Sequence, residues 1–264
     1  MHVDDAHLGA PHDPALSLSL PESTLTTAYS ALARASQQHP QQPQQHQHTP
    51  TIVQLNHPGR QSPRGTGTRS LFAPSLAPSA IPVSLGPGLL ATALRILGFG
   101  TPRAMTGAEI EGVVGQFARA ARVCAEAGFD GVEVHAAHGY LLSQFLSGRS
   151  NRRGDEYGGD ARGRVRVLVE VVKAVRAATE GVREGFCVGV KLNSVDHQSE
   201  GEMRDCVEQV RAVVEAGVDF VEVSGGSYED PKVSFGLVCC CVGGVACCLV
   251  VWVCVLWWMA RWLT

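Results

Sequence analysis

The sequence predicts an α/β protein built as a partial TIM (β/α)8 barrel. Three features predict this class: β-prone runs alternate with amphipathic helical runs, their lengths are those of parallel βα units, and polar residues gather where the predicted strands end. About four of the eight strands of such a barrel are recognisable. An open dinucleotide-binding sheet is the competing fold, but no Gly-x-Gly-x-x-Gly turn follows any predicted strand. We therefore expect a partial barrel, followed by an apolar C-terminal tail.

Composition limits the classes of function. The chain has 264 residues, 45% of them apolar, which is enough for one large barrel domain. A formal charge of −3 provides no broad cationic surface, so we expect no nucleic-acid binding. Met1 to Ala10 has no apolar run behind a basic start, unlike a secretory signal, so the sequence predicts a cytoplasmic protein. The run Cys239–Cys241 lacks the second cysteine pair of a zinc site, and we expect no bound metal.

Changes in composition divide the chain into four zones. Residues 1–36 are an N-terminal remnant of the barrel region, with a short helix predicted over Leu25–Ala35. Residues 37–50 are a low-complexity Gln/His/Pro loop, too polar to be buried. Residues 51–231 are the partial barrel, and residues 232–264 are the apolar tail. Three histidines of the loop are expected to be solvated rather than to hold a metal: His39, His46 and His48.

The βα pattern begins after the loop. A passage rich in Gly, Pro and Ser up to Gly100 is predicted to be mostly loop, with a hairpin around Ile81–Val83. A capping box, Thr106 to Glu109, then starts a helix that Gly128 ends. The predicted strands are Thr51–Leu55, Gly131–His135, Val188–Lys191 and Phe220–Val223. The predicted helices that separate the later strands are Ala161–Ala178 and Glu202–Ala216.

One constellation of polar residues follows an apolar strand directly. His135 and His138 can both donate hydrogen bonds into one pocket, and Tyr140 adds a neutral acid. Two other interpretations compete. The first is a metal-binding pair, which is weakened because no third ligand is obvious. The second is that the histidines have a purely structural role at a strand end, and this interpretation remains open.

Four motifs, in this order and spacing, resemble the old yellow enzyme family, also called NADH:flavin oxidoreductases. They are VQLNHPGR (Val53–Arg60), GFDGVEVHAAHGYLLSQFLS (Gly128–Ser147), NRRGDEYGG (Asn151–Gly159) and VGVKLN (Val188–Asn193). The resemblance implies a TIM-barrel enzyme that binds FMN non-covalently. Such an enzyme transfers hydride from NAD(P)H through FMN to a small activated alkene, such as an enone.

The resemblance also implies roles for single residues. Gln54 and Lys191 would bind the cofactor: Gln54 would hydrogen-bond the pyrimidine edge of the flavin, and Lys191 would place a cation near N1 and O2. His135 and His138 would bind the substrate oxygen. Tyr140 would be catalytic, as the general acid that protonates the α-carbon.

The chain departs from the family pattern at both ends. Its predicted strands resemble the third to sixth strands of the family barrel, so the loops that usually hold the FMN phosphate are not recognisable. Such a part of a barrel is expected to leave two strand edges unpaired. The alternative function is therefore a non-catalytic truncated barrel fragment. The sequence does not determine the oligomeric state.

The tail has three interpretations. About 25 uncharged residues, 235–259, are long enough for a membrane-spanning helix, which would anchor the chain to a membrane. A buried barrel strand and helix would require a polar face that the tail lacks. Non-native sequence in place of the natural C-terminal half fits the abrupt change of composition best.

Overall fold

The computed structural model describes residues 1–37, 48–193, 200–226 and the backbone of 237–239. Its main sheet has five strands in the order β1-β4-β5-β6-β7, and the first four run parallel to one another. These four strands confirm the predicted parallel βα units. The main-sheet strands are β1 (Ile52–Leu55), β4 (Gly131–Ala136), β5 (Cys187–Asn193), β6 (Phe220–Ser224) and β7 (Leu237–Cys239), and the short pair is β2 (Leu76–Ala77) and β3 (Arg103–Ala104).

Helices cover one face of the main sheet. Valines at alternate positions of β4 and β5 are fully buried against α3 and α5, and together they form the core. The opposite face of the same strands carries the polar residues described below. The helices are α1 (Glu22–Gln37), α2 (Leu89–Gly98), α3 (Gly107–Ala127), α4 (Leu141–Leu146), α5 (Ala161–Thr179) and α6 (Glu200–Glu215), with a 3-10 turn at Gly59–Gln61.

The predicted boundaries of α3 are confirmed. The Thr106 hydroxyl accepts from the Glu109 N–H, and the Glu109 carboxylate accepts from the Thr106 N–H, which completes the capping box. Gly128 ends the helix at φ 97°, in the left-handed region that favours glycine. The chain therefore passes from the end of α3 into β4 after a short turn.

The passage before α3 differs from its prediction. Leu89–Gly98 is a helix instead of loop, because its sequence LLATALRILG contains good helix formers and no proline. The hairpin around Ile81–Val83 is wrong: the strands here are β2 and β3, which pair in parallel. This pairing joins segments on either side of α2, a long-range contact that local turn signals do not reveal.

The two outer edges of the parallel strands are partly paired, so the prediction of two open edges is wrong. At β1, the Val3 N–H donates to the Asn56 carbonyl, and the Asn56 N–H donates to the Met1 carbonyl. His2 forms a parallel bridge with Asn56. At the other edge, β7 pairs antiparallel with β6. Residues 1–3 therefore take the place of a neighbouring barrel strand.

The tail is only partly described. Within the described ranges, no helix is both long and apolar enough to cross a membrane. Leu237–Cys239, which falls inside the proposed helix 235–259, is a strand. The membrane-anchored alternative is therefore not supported. The rest of the tail lies outside the described residues, as do His39 and His46.

Candidate functional site

The predicted substrate residues lie together where β4 ends. The ring of His135 is 4.9 Å from the ring of His138 and 4.9 Å from that of Tyr140, both measured between centroids and both edge to face. His135 is the last but one residue of β4, and Tyr140 precedes α4. The turn between strand and helix thus brings the three side chains into one cluster.

The connecting turn is held by side chains of its neighbours. His138 has a φ of 56°, an uncommon conformation for a residue with a Cβ. Its N–H donates to Asn193 Oδ1 at 2.8 Å, and its carbonyl accepts from Gln61 Nε2 at 3.2 Å. Its Nε2 lies 2.9 Å from the Ser224 hydroxyl. These bonds from β5, β6 and the 3-10 turn hold a strained residue in place, which is typical of functional sites.

The two imidazoles are neutral at neutral pH. Burial lowers the pKa of His135 well below its usual value, and the neighbouring His138 and Lys191 lower it further. Burial, together with Lys191, lowers the pKa of His138 to about 4. His135 Nδ1 is buried and has no hydrogen-bond partner among the described residues. A neutral imidazole with one unoccupied nitrogen is suited to bind a polar group of a ligand.

The two predicted cofactor residues lie on the same polar face of the sheet as this cluster. Gln54 Nε2 donates to Glu133 Oε2 at 2.6 Å, and Lys191 Nζ donates to Glu222 Oε1 at 2.6 Å. Glu133 and Glu222 hydrogen-bond to each other. Gln54 and Lys191 are therefore linked through a pair of carboxyl groups.

Sequence reasoning missed the two glutamates. Both stand in the middle of the same tripeptide, Val-Glu-Val, at Val132–Val134 and Val221–Val223. An acidic residue between two valines of a buried strand points away from the valine face, because side chains alternate along a strand. That repeated pattern was the available signal for a buried carboxyl pair.

The N-terminal segment lies over the substrate cluster. A Cβ placed on Gly9 would be 3.5 Å from the Tyr140 hydroxyl, 3.5 Å from His2 and 3.2 Å from Asp13. His2 Nε2 is 3.0 Å from Asp13 Oδ2. Tyr140 therefore borders a polar wall made by residues far from it in sequence.

A second buried cluster joins this segment to the loop after β1. Asp4 Oδ2 is 3.3 Å from His7 Nδ1 and 3.4 Å from His57 Nε2, a set that has the composition of a metal site. However, the Gly59 N–H donates to His57 Nδ1 at 3.0 Å. This bond occupies the lone pair of His57 Nδ1, which leaves that nitrogen unavailable to a metal. The arrangement is that of a carboxylate hydrogen-bonded to His7, with His57 Nε2 3.4 Å away.

Comparisons with known proteins show which family this chain belongs to. The NADH:flavin oxidoreductase / NADH oxidase family matches residues 41–232. The NADH-dependent flavin oxidoreductase iliE of Neonectria sp. (strain DH2) is 51% identical over 236 residues, covering 89% of this chain and 29% of that protein. The NADH-dependent flavin oxidoreductase iccE of Talaromyces variabilis is 46% identical over 237 residues, covering 89% of this chain and 55% of that protein. The chain thus spans about half or less of these relatives.

Solved structures show the same fold. Morphinone reductase in complex with tetrahydroNAD superposes with a TM-score of 0.62 at 26% identity, covering 83% of this chain and 58% of that one. An old yellow enzyme homologue from Zymomonas mobilis superposes with a TM-score of 0.63 at 23% identity, covering 88% of this chain and 62% of that one. The parallel strands, the motifs and the family match lead to one conclusion. The chain belongs to the NADH:flavin oxidoreductase / NADH oxidase family, in which it corresponds to part of an old yellow enzyme barrel.

Proposed function

We propose that this chain carries the residues that bind the flavin edge and the substrate in an NAD(P)H-dependent FMN oxidoreductase acting on activated alkenes. The observation that carries this proposal is the cluster in which the His135 ring lies 4.9 Å from the rings of His138 and of Tyr140. The cluster is on the polar face that also holds Gln54 and Lys191. The names of the relatives support a flavin and NADH as the reactants.

The residues present fit an FMN ring. Gln54 offers an amide and Lys191 an ammonium, the groups that suit the polar pyrimidine edge of a flavin. Both come from strands whose ends meet at one edge of the sheet, where barrels of this class bind their ligands. When bound, FMN supplies the hydride chemistry of the family.

The protein residues would bind the acceptor and supply a proton. His135 and His138, both neutral, would donate hydrogen bonds to the substrate carbonyl oxygen and draw electron density from the β-carbon. Tyr140 would hold the proton that the α-carbon receives. Its ring lies edge to face against His135, so the three groups converge on one space.

The test is a matched pair of variants. The purified chain is mixed with FMN, and flavin absorbance and NAD(P)H oxidation are measured with and without cyclohexenone. Tyr140→Phe should retain flavin reduction and slow enone reduction by about 10²- to 10⁴-fold, the usual contribution of a general acid. Tyr157→Phe is the control, because its hydroxyl bonds Glu170 on the helical side of the sheet.

Two outcomes would contradict the proposal. If the chain binds no FMN, it is a non-catalytic fragment of the barrel. If Tyr140→Phe slows both half-reactions equally, Tyr140 is not the proton donor.

A further inference from the structure

Four side chains from four strands form a continuous row across the polar face. The row begins at Gln54 on β1, passes through Glu133 on β4 and Glu222 on β6, and ends at Lys191 on β5. Its two outer contacts are 2.6 Å long. Glu133 has an exposed fraction of 6%, and the side chains of Lys191 and Glu222 have 15% and 21%. The row is thus largely removed from water.

The contacts determine which carboxyl group holds a proton. Two carboxyl groups at hydrogen-bond distance share one proton, since two negative charges that close repel strongly. Glu222 accepts from the Lys191 ammonium, so Glu222 is the ionised partner. Glu133 has only the neutral Gln54 amide on its other side, so Glu133 is the protonated partner and donates to Glu222.

The charged surroundings agree with this assignment. Burial and the contact with Glu222 raise the pKa of Glu133 to about 7, against opposing effects of Gln54 and Lys191. Burial alone would raise the pKa of Glu222, but the Glu133 proton, Lys191 and His138 lower it instead. These are the titratable and charged groups that act on the pair among the described residues.

The charge of Lys191 is therefore already neutralised by Glu222 when no ligand is bound. A neutralised ammonium offers little stabilisation to negative charge that develops on a cofactor edge. The stabilisation returns if Glu222 becomes protonated, because Lys191 then keeps its charge without an anionic partner.

We propose that Glu133 and Glu222 are a one-proton carboxyl pair that takes up a second proton from solvent when negative charge is placed beside Lys191. The pair is a positioning element: it orients Gln54 and Lys191 and sets the net charge that they present. This inference rests on the proposed function for the identity of the negative charge, the reduced flavin edge.

The first experiment needs no flavin. Side-chain carboxyl carbons of glutamate are followed by 13C NMR from pH 4 to pH 9 in the wild-type chain, Glu133→Gln, Glu222→Gln and Glu208→Gln. The last variant removes an exposed charge on α6 as a control. One carboxyl signal of the wild type should titrate near pH 7, disappear in Glu133→Gln, move towards acid in Glu222→Gln and stay unchanged in the control. Titration of all glutamates near their ordinary values, or no response to Glu222→Gln, would overturn the pair.

The second experiment measures proton uptake with reduced FMN. The affinity of each protein for reduced FMN is determined anaerobically between pH 6 and pH 9. Protonation of free reduced FMN affects every protein equally, so it cancels when variants are compared. Relative to Glu222→Gln, which has no carboxylate beside Lys191 to protonate, the affinity of the wild type should fall by about tenfold per pH unit from pH 6 up to the pKa of the pair, the change expected for one proton, and more steeply above it, where the free pair has lost its first proton as well.

The two experiments separate the possible failures. If the wild type binds no FMN, the proposed function fails and the uptake step fails with it. If FMN binds but the pH dependence of the wild type matches that of Glu222→Gln, the inference alone is overturned.

Discussion

For the ionisable side chains on the polar face of the sheet, burial decides the charge state more than the residue type does. Burial lowers the pKa of His135 and His138, so that both are neutral, and it raises the pKa of Glu133. The polar face of the sheet thus presents neutral donors and an acid near its titration midpoint at physiological pH. Such groups suit proton transfer and ligand polarisation.

The raised pKa of Glu133 makes stability depend on pH. The folded pKa of about 7 exceeds the ordinary value of 4.5, so the folded state binds the proton more tightly than the unfolded chain. This contribution is complete below about pH 4.5 and is lost as pH rises through about 7, with a slope of up to about 1.4 kcal/mol per pH unit. Glu133→Gln should lack this loss. Urea unfolding of both proteins at pH 5, 6, 7 and 8 should therefore show the variant gaining relative to the wild type. A difference that is constant across pH would refute the assignment.

At the scale of elements, strands β4 and β5 begin in unusually close contact. A Cβ on Gly131 would be 2.4 Å from the Cys187 carbonyl oxygen and 2.8 Å from its Cβ. Gly131 pairs with Cys187 in the register of the two strands. Only a residue without a side chain allows this approach, so the start of β4 depends on glycine for its spacing and not for its φ.

A single methyl group should therefore distinguish this glycine from others. Gly131→Ala forces the two strands apart and should lower the free energy of unfolding by about 1–3 kcal/mol, as overpacking does elsewhere. The matched control is Gly112→Ala on α3, where nothing lies within 4 Å. It should be neutral or stabilising by up to about 1 kcal/mol, because alanine favours helix over glycine. Chemical denaturation measures both. Equal effects of the two substitutions would contradict the close strand contact.

At the scale of the whole molecule, an N-terminal segment closes one side of a partial barrel. Residues 1–3 pair with β1, and Gly9 lies beside the Tyr140 hydroxyl. Asp4 anchors this segment: it accepts from the Ala6 and His7 N–H groups and contacts His57. Burial by itself would raise the pKa of Asp4, but His57 and His7 outweigh it and hold that pKa well below its usual value.

Removal of the Asp4 charge should release the segment. Asp4→Asn removes the charged acceptor that the Ala6 and His7 N–H groups and the His7 ring contact, and should cost about 1.5–3 kcal/mol at pH 7, the range for hydrogen bonds to a charged group. Because the pKa of Asp4 is depressed, its contribution is present above about pH 4 and is lost on further acidification. The neighbouring Asp5→Asn should change stability by less than about 0.5 kcal/mol. Urea unfolding and limited proteolysis of residues 1–16 give the comparison. Equal stability of the two variants would exclude the anchoring role.

The order of strands and helices from β1 to β6 followed from the chain alone. Thr106, Glu109 and Gly128 mark the ends of α3 through local hydrogen bonds and backbone geometry, and such signals survive without tertiary information. Helix α2 was missed because the Gly- and Pro-rich residues around it predicted loop for the whole passage. In the structure several of its apolar residues are exposed, as with Leu89 at 92% exposure. The covered strand edges also went unforeseen, since pairing between residue 3 and residue 56 leaves no local trace.

The sequence by itself determined the family, the parallel βα order and the types of residue at each strand end, because periodicity and motif spacing are properties of the chain. Only the tertiary structure decided which of these residues touch. It placed Glu133 against Glu222 between Gln54 and Lys191, and Asp4 against His57. The physical reason is that charge depends on burial and on neighbours from other strands. The residue type determines whether a side chain can be protonated, whereas its surroundings determine whether it is protonated at a given pH.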